Sequence, residues 1–220
     1  MAEQPLRLRR DAERNRQRIL AAADELFAER GLGVTLDDIA ARAGVGVGTA
    51  YRRYANKQEL IDEHFEQRLA EFEDFANDAL ADDDGWRGLA VYLSRCLERQ
   101  LESRGLNEIL GTARGRERLD AARERLAPLN AAIVERAKDQ GKLRADFAST
   151  DLVFIQLALG TVMDATRATD PGLYLRYLTV FLDGMRPERS DTSPMPADPL
   201  TSEQAHEIVK RSGKRRRRPR

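Results

Sequence analysis

The 220-residue chain is poor in the residues from which catalytic and metal centres are built. Its single cysteine, Cys96, rules out an internal disulfide and any thiolate cluster. Its two histidines, His64 and His206, stand far apart, and no C-x-x-C, H-E-x-x-H or phosphate-loop pattern occurs. Ser94, between Leu93 and Arg95, forms no nucleophile elbow. No metal, no cofactor and no enzymatic activity are therefore expected. No apolar run approaches the roughly 18 residues of a membrane span, and the opening MAEQPLRLRR lacks the apolar core of a signal peptide. With 34% charged residues and a mean hydropathy of -0.58, a soluble cytoplasmic protein is expected. Alternating strand patterns are also missing, so the expected fold class is all-α.

A formal net charge of zero conceals an uneven distribution. Residues 1–57 hold 11 Lys and Arg against 8 Asp and Glu, residues 58–209 hold 18 against 29, and residues 210–220 hold 8 against none. Basic ends flank an acidic middle, which points to an anionic partner at the ends.

The most informative stretch is 35–60, TLDDIAARAGVGVGTAYRRYANKQEL. Thr35 and Asp38 have the spacing of a helix N-cap box, and Leu36, Ile39, Ala40 and Ala43 recur on one helical face. Gly44 falls where a left-handed residue ends a helix, and Gly46 can cap a second helix over residues 47–54. Asn56, with Glu59 three residues on, can cap a third. Helix, glycine turn, helix is the helix-turn-helix plan, whose second helix enters the DNA major groove. That second helix carries small residues (Val47, Gly48, Thr49) and then Tyr51, Arg52, Arg53 and Tyr54, without one acid. The spaced Gly44, Gly46 and Gly48 follow no strand, so a nucleotide-binding loop is excluded.

ILAAADELFAERG, TLDDIAARAGVGVGTAYRRY and the NKQEL that follows resemble the DNA-binding domain of the TetR family of bacterial transcriptional regulators. The segment RERLAPLNAAIVERAKDQGKLRADFASTDLVFIQLALGTVMDAT is similar to the C-terminal part of its subgroup with an SbtR-like regulatory domain. The resemblance implies a ligand-responsive homodimeric repressor on an inverted-repeat operator in double-stranded DNA, cytoplasmic and associated with the bacterial nucleoid. Arg52 and Thr49 are the expected base contacts, with Val47 and Gly48 shaping the approach. Thr35, Tyr51, Tyr54 and Lys57 are expected to hold phosphates, and Arg53 could take either role. The unknown small-molecule effector would sit among Phe65, Trp86, Leu89, Tyr92, Cys96, Leu110, Ile133 and Phe154, each equally explicable as ordinary core.

The rest of the chain follows around this unit. Residues 1–10 read as a flexible basic arm, residues 11–56 as the DNA-binding domain and residues 57–186 as the effector and dimerisation domain. Residues 187–220 read as a disordered linker and basic tail. Helices are expected over 11–30, 57–80, 86–104, 117–139, 151–169 and 171–185, with a short one over 105–115. Pro128 predicts a kink or break, and Ser149 or Thr150 and then Asp170–Pro171 predict helix starts. Arg14, Arg16 and Arg18 face either a phosphate strand or solvent. The last two helices are apolar around much of their circumference. The resemblance makes them the dimer's four-helix bundle, with Ala158 and Gly160 giving close approach and Leu175, Leu178, Phe181 and Leu182 bulk; the alternative is a monomer core. The tail GKRRRRPR suits nonspecific, salt-dependent nucleic-acid binding. It supports the alternative of a nonspecific or architectural DNA-binding protein.

Overall fold

The computed structural model describes residues 3–102 and 113–187, with side chains over 10–100 and from 117 onward except 119. The described residues form eight α-helices and no strand: α1 (Glu3–Arg30), α2 (Leu36–Ala43), α3 (Val47–Arg53), α4 (Lys57–Ala81), α5 (Gly85–Glu102), α6 (Ala113–Asp139), α7 (Ser149–Thr166) and α8 (Tyr174–Met185). They divide into two compact units. One is built on α1 to α3, α4 as far as Glu73 and α6 as far as Arg125; the other takes α4 from Asp74, α5 to Leu101 and the described chain from Leu126. The division falls inside two helices, whereas the pattern along the sequence predicts a boundary at 56/57.

In the first unit, Ile19, Ala23, Leu26 and Phe27 of α1 form a buried stripe. Leu36, Ile39, Ala40 and Ala43 of α2, Ala50 of α3, and Leu60 and Ile61 of α4 are buried with them. The chain reverses between α2 and α3 at Gly44, whose φ of 63° suits glycine. The Gly44 and Val45 N–H groups donate to Ala41 and Ala40 carbonyls at 3.1 and 3.0 Å, closing α2 in a Schellman-type turn. At its other end the Asp38 N–H donates to Thr35 Oγ1 at 3.1 Å, and the Thr35 N–H donates to Asp38 Oδ2 at 2.8 Å. The expected box is formed. Asn56 Oδ1 accepts from the Glu59 N–H at 3.1 Å at the start of α4.

Polar groups are buried between α1 and α4. Arg68, 3% exposed, pairs with Asp24 of α1 and with Glu71 at 2.8 Å. His64, also 3% exposed, lies 3.7 Å from Asp24 and edge-on to Phe27 with ring centres 5.5 Å apart. The first half of α6 joins this unit through ion pairs. Arg118 pairs with Asp62, and Arg125 reaches Glu66 at 2.8 Å and Glu73 at 2.5 Å.

In the second unit, Leu89, Leu93 and Leu97 of α5 and Val134 and Ala137 of α6 are fully buried. Leu152 and Leu159 of α7 share this burial. Gly88 allows α5 to lie directly on α4, because a Cβ there would stand 2.4 Å from the Ala79 carbonyl oxygen. Asp84 caps α5 by accepting from the Trp86 and Arg87 N–H groups at 3.0 and 3.1 Å. Its carboxyl is pushed down to about 2, first by the Lys142 ammonium 2.8 Å away.

Several boundaries differ from expectation. The helix expected from residue 11 begins at Glu3, so residues 3–10 are helical where a flexible arm is predicted. Pro5 lies in the first turn, where its missing N–H costs no helical bond. α6 runs unbroken through Pro128. Burial of Asn130, Ile133, Val134 and Ala137 beyond it outweighs one lost backbone bond. α7 is capped at Ala148, whose N–H donates to Asp151 at 2.9 Å, rather than at Ser149 or Thr150. Asp170 accepts from the Gly172 N–H at 3.0 Å in a local turn, which delays α8 to Tyr174. Most of the short helix expected over 105–115, and nearly all of the linker and tail, lie outside the described residues.

Burial, reinforced by the Arg68 charge and opposed by Asp24, pulls the His64 imidazole down to about 4. A histidine with a depressed folded pKa gives stability that is full above its unfolded value near 6.5 and is lost as pH falls towards 4. Urea unfolding of the parent should therefore lose roughly 3 kcal/mol more than His64→Gln over that window. Parallel pH profiles of the two proteins would refute the assignment.

Candidate DNA-binding surface

α3 is seven residues long and is anchored by Ala50 and by Tyr54 just beyond its end. Gly46 starts it, with its carbonyl accepting from the Thr49 and Ala50 N–H groups at 2.8 and 3.2 Å. With Ala50 inward, helical spacing turns Gly48 and Arg52 to the opposite side, and Val47 and Tyr51 are exposed as well. Val47 is 45% and Tyr51 48% exposed, high values for apolar bodies. Arg52 donates to Thr49 Oγ1 at 3.2 Å, so the two expected base-reading side chains stand together with most of the guanidinium fork facing outward.

The expected phosphate contacts divide differently. Tyr51 is exposed, and its phenol is held above the usual tyrosine range by a hydrogen bond to the Asp37 carboxylate of α2. Thr35 is exposed, but its hydroxyl donates to Asp38 Oδ2 at 2.6 Å and its N–H goes to the same carboxylate. Neither donor is left for a phosphate. Tyr54 is 1% exposed, and its hydroxyl has no hydrogen-bond partner among the described residues. It is a core residue. Lys57 donates to the Leu32 and Val34 carbonyls at 2.5 and 2.9 Å, tying the start of α4 to the turn after α1. It is a staple between the two segments. Arg53 is engaged by Glu63 of α4 at 2.8 Å.

Of the three arginines early in α1, Arg14 pairs with Asp11 at 2.7 Å and Arg16 with Glu13 at 2.8 Å. Arg18 donates to the Gly44 carbonyl at 3.0 Å and so braces the turn between α2 and α3. Its role was not visible in the sequence, where 26 residues separate the two groups.

Of the expected effector-pocket residues, Leu89, Tyr92, Cys96 and Ile133 are all buried in the second unit. Tyr92 donates to Asn130 Oδ1 at 2.8 Å within that core, a buried polar pair the apolar spacing did not reveal. Burial pushes the Cys96 thiol up to about 12 and leaves it protonated. Trp86 is partly exposed beneath the Arg186 guanidinium at 4.7 Å. Phe65 belongs to the first unit, and Leu110 lies outside the described residues. Phe154 is 66% exposed. An open cleft of about 430 Å³ in the second unit is lined instead by residues such as Arg144, Asp151, Ile155 and Met185. Among the described residues, no helix is long and apolar enough to cross a membrane.

A rigidly capped helix-turn-helix presenting an acid-free second helix defines a DNA-binding protein of the regulator class. Residues 19–64 match the bacterial regulatory proteins of the tetR family, and residues 86–187 match the SbtR-like transcriptional regulator C-terminal domain. The chain belongs to the TetR family of transcriptional regulators. An HTH-type transcriptional regulator of Staphylococcus aureus (strain USA300) is 43% identical over 54 residues, 24% of this chain. The chain thus spans 29% of the length of that curated relative. A TetR transcriptional regulator of Streptomyces coelicolor superposes with a TM-score of 0.64 at 28% identity, covering 78% of this chain and 98% of that one. SmeT of Stenotrophomonas maltophilia, solved with triclosan, shares the fold with a TM-score of 0.60 at 19% identity, covering 86% and 99%.

Lys57→Met should lower unfolding stability by about 2 kcal/mol through the two abandoned carbonyls, while the salt dependence of DNA binding stays as in the parent. Tyr54→Phe should alter neither DNA affinity nor its salt slope. A slope lowered by about 0.9 in Lys57→Met, or a loss of affinity in Tyr54→Phe, would restore that residue to the phosphate contacts.

Proposed function

We propose that the protein is a homodimeric, effector-responsive repressor that binds an inverted-repeat operator, with Arg52 and Thr49 reading base edges from α3. The observation that carries this reading is the outward face of α3. It sets small residues beside an arginine fork suited to guanine, on a helix fixed at both ends.

The dimer rests on a second observation. Val153, Phe154 and Leu157 of α7 and Leu175, Tyr177, Val180 and Phe181 of α8 are between 36% and 66% exposed. So many large apolar side chains on two consecutive helices mark an interaction face. Its membership is partly unexpected. Gly160 is buried against Gln100 and Leu178 lies in the core, while Phe154 joins the outward face. A two-fold dimer would set two recognition helices roughly 34–36 Å apart, one turn of DNA. Effector binding among the helices of the second unit would change the inclination of α4 and the spacing of the recognition helices. Only a difference in effector affinity between the two spacings can drive that change.

Selection of bound duplexes from a random pool tests the reading. The full chain and a version ending at Arg186 should enrich the same inverted repeat. Arg52→Ala should lose about 1–3 kcal/mol of discrimination at one base pair per half-site. Leu157→Asp should yield monomers by sedimentation and lose the repeat. Enrichment that disappears with the tail would favour the nonspecific, tail-driven alternative, for which the eight basic residues of 210–220 are the motive.

A further inference from the structure

Glu63, in the second turn of α4, joins three helices of the first unit. Both its carboxylate oxygens accept from Arg53 Nη2 of the recognition helix, at 3.1 and 2.8 Å. One of them also accepts from Arg16 Nε of α1, and Arg16 continues to Glu13 at 2.8 Å. The Arg53 guanidinium carbon stands 4.8 Å from the centre of the Tyr54 ring, which is itself buried. An ion pair along one edge and an aromatic face therefore fix the orientation of this guanidinium. The Glu63 side chain is 21% exposed, against 43% for Arg53 and 31% for Arg16. The anion is thus the most sheltered member of the group, and the two cations flank it.

Arg52 and Arg53 are adjacent in sequence but differ in commitment. Arg52 has a neutral hydroxyl as its partner, and Arg53 has a shared carboxylate. Contacts to phosphate add affinity for every sequence and carry no base information. An arginine at the end of a recognition helix would reach phosphates indiscriminately if nothing held it.

We propose that Glu63 is a positioning residue that limits the sequence-independent part of DNA affinity. It withholds Arg53 and Arg16 from DNA phosphates, so that Arg52 is the guanidinium α3 presents to the groove and sequence-independent affinity stays low. Arg53 then takes neither of the roles its sequence position allowed, and serves as a strut between α3 and α4. This rests on the reading that α3 enters the major groove.

The test measures affinity of the full chain for a short random-sequence duplex and for the selected repeat, over about 50 to 200 mM salt. Glu63→Gln keeps the side-chain shape and removes the charge. On the random duplex its plot of log affinity against log salt should steepen by about 0.9 for each guanidinium released, up to about 1.8. Affinity for the random duplex should rise at 50 mM salt, and the gain should shrink about 3.5-fold for each added contact on going to 200 mM. Arg53→Ala alone should leave the slope unchanged, whereas Glu63→Gln with Arg53→Ala should lose about half the steepening. A Glu63→Gln slope equal to the parent's overturns the proposal. So does an Arg53→Ala slope lowered by about 0.9, which would mean that Arg53 already holds a phosphate. That surface variant decides the matter even if Glu63→Gln does not fold. A parent that binds the repeat no better than the random duplex would instead refute the operator reading itself.

Discussion

A helix of seven residues cannot hold itself together in water, because nucleation leaves too few backbone bonds to offset the ordering of the chain. α3 therefore exists through its neighbours. Gly46 begins it, Ala50 presses it inward, and Tyr54 anchors the chain beyond its last turn. The turn before it is set by Gly44 and braced by Arg18, and the turn after it by Asn56. With no slack at either end, the outward side chains of α3 inherit the rigidity of the whole first unit. Pre-organisation of this kind lets a short helix discriminate between base edges without the entropy cost of ordering on contact.

Among the described residues, several arginines of this unit are paired with its own carboxylates. Arg42 is taken by Glu25 and Glu29, Arg16 by Glu13 and Glu63, Arg68 by Asp24 and Glu71, and Arg125 by Glu66 and Glu73. Exposed pairs of this sort add little stability, commonly below about 1 kcal/mol. Under the proposed function, arginines held in this way would add little general attraction to DNA phosphates.

Features carried by neighbours in the chain were legible in the sequence. Thr35 with Asp38, Gly44, Gly46 and Asn56 act over three or four residues, and each does what its spacing predicts. Features carried by distant partners were not. Lys57 reads as a surface cation until the carbonyls of Leu32 and Val34 are brought beside it, and Arg53 reads as a DNA contact until Glu63 arrives from α4. Tyr54 shows the same limit, since an aromatic after two arginines serves equally well as a core anchor. In the second unit Phe154 could not be told from its buried neighbours by periodicity, because α7 is apolar on more than one face. Pro128 overstated its local penalty, since packing beyond it carries the helix through.

The glycine at position 88 bears on how any movement in α4 is transmitted. Its Cα lies against the Ala79 carbonyl with no side chain between, so α4 and α5 meet there backbone to backbone. Side chains can rotate to absorb a small shift, but two backbones in direct contact cannot. The C-terminal end of α4 is thus held against α5 like the fixed end of a beam.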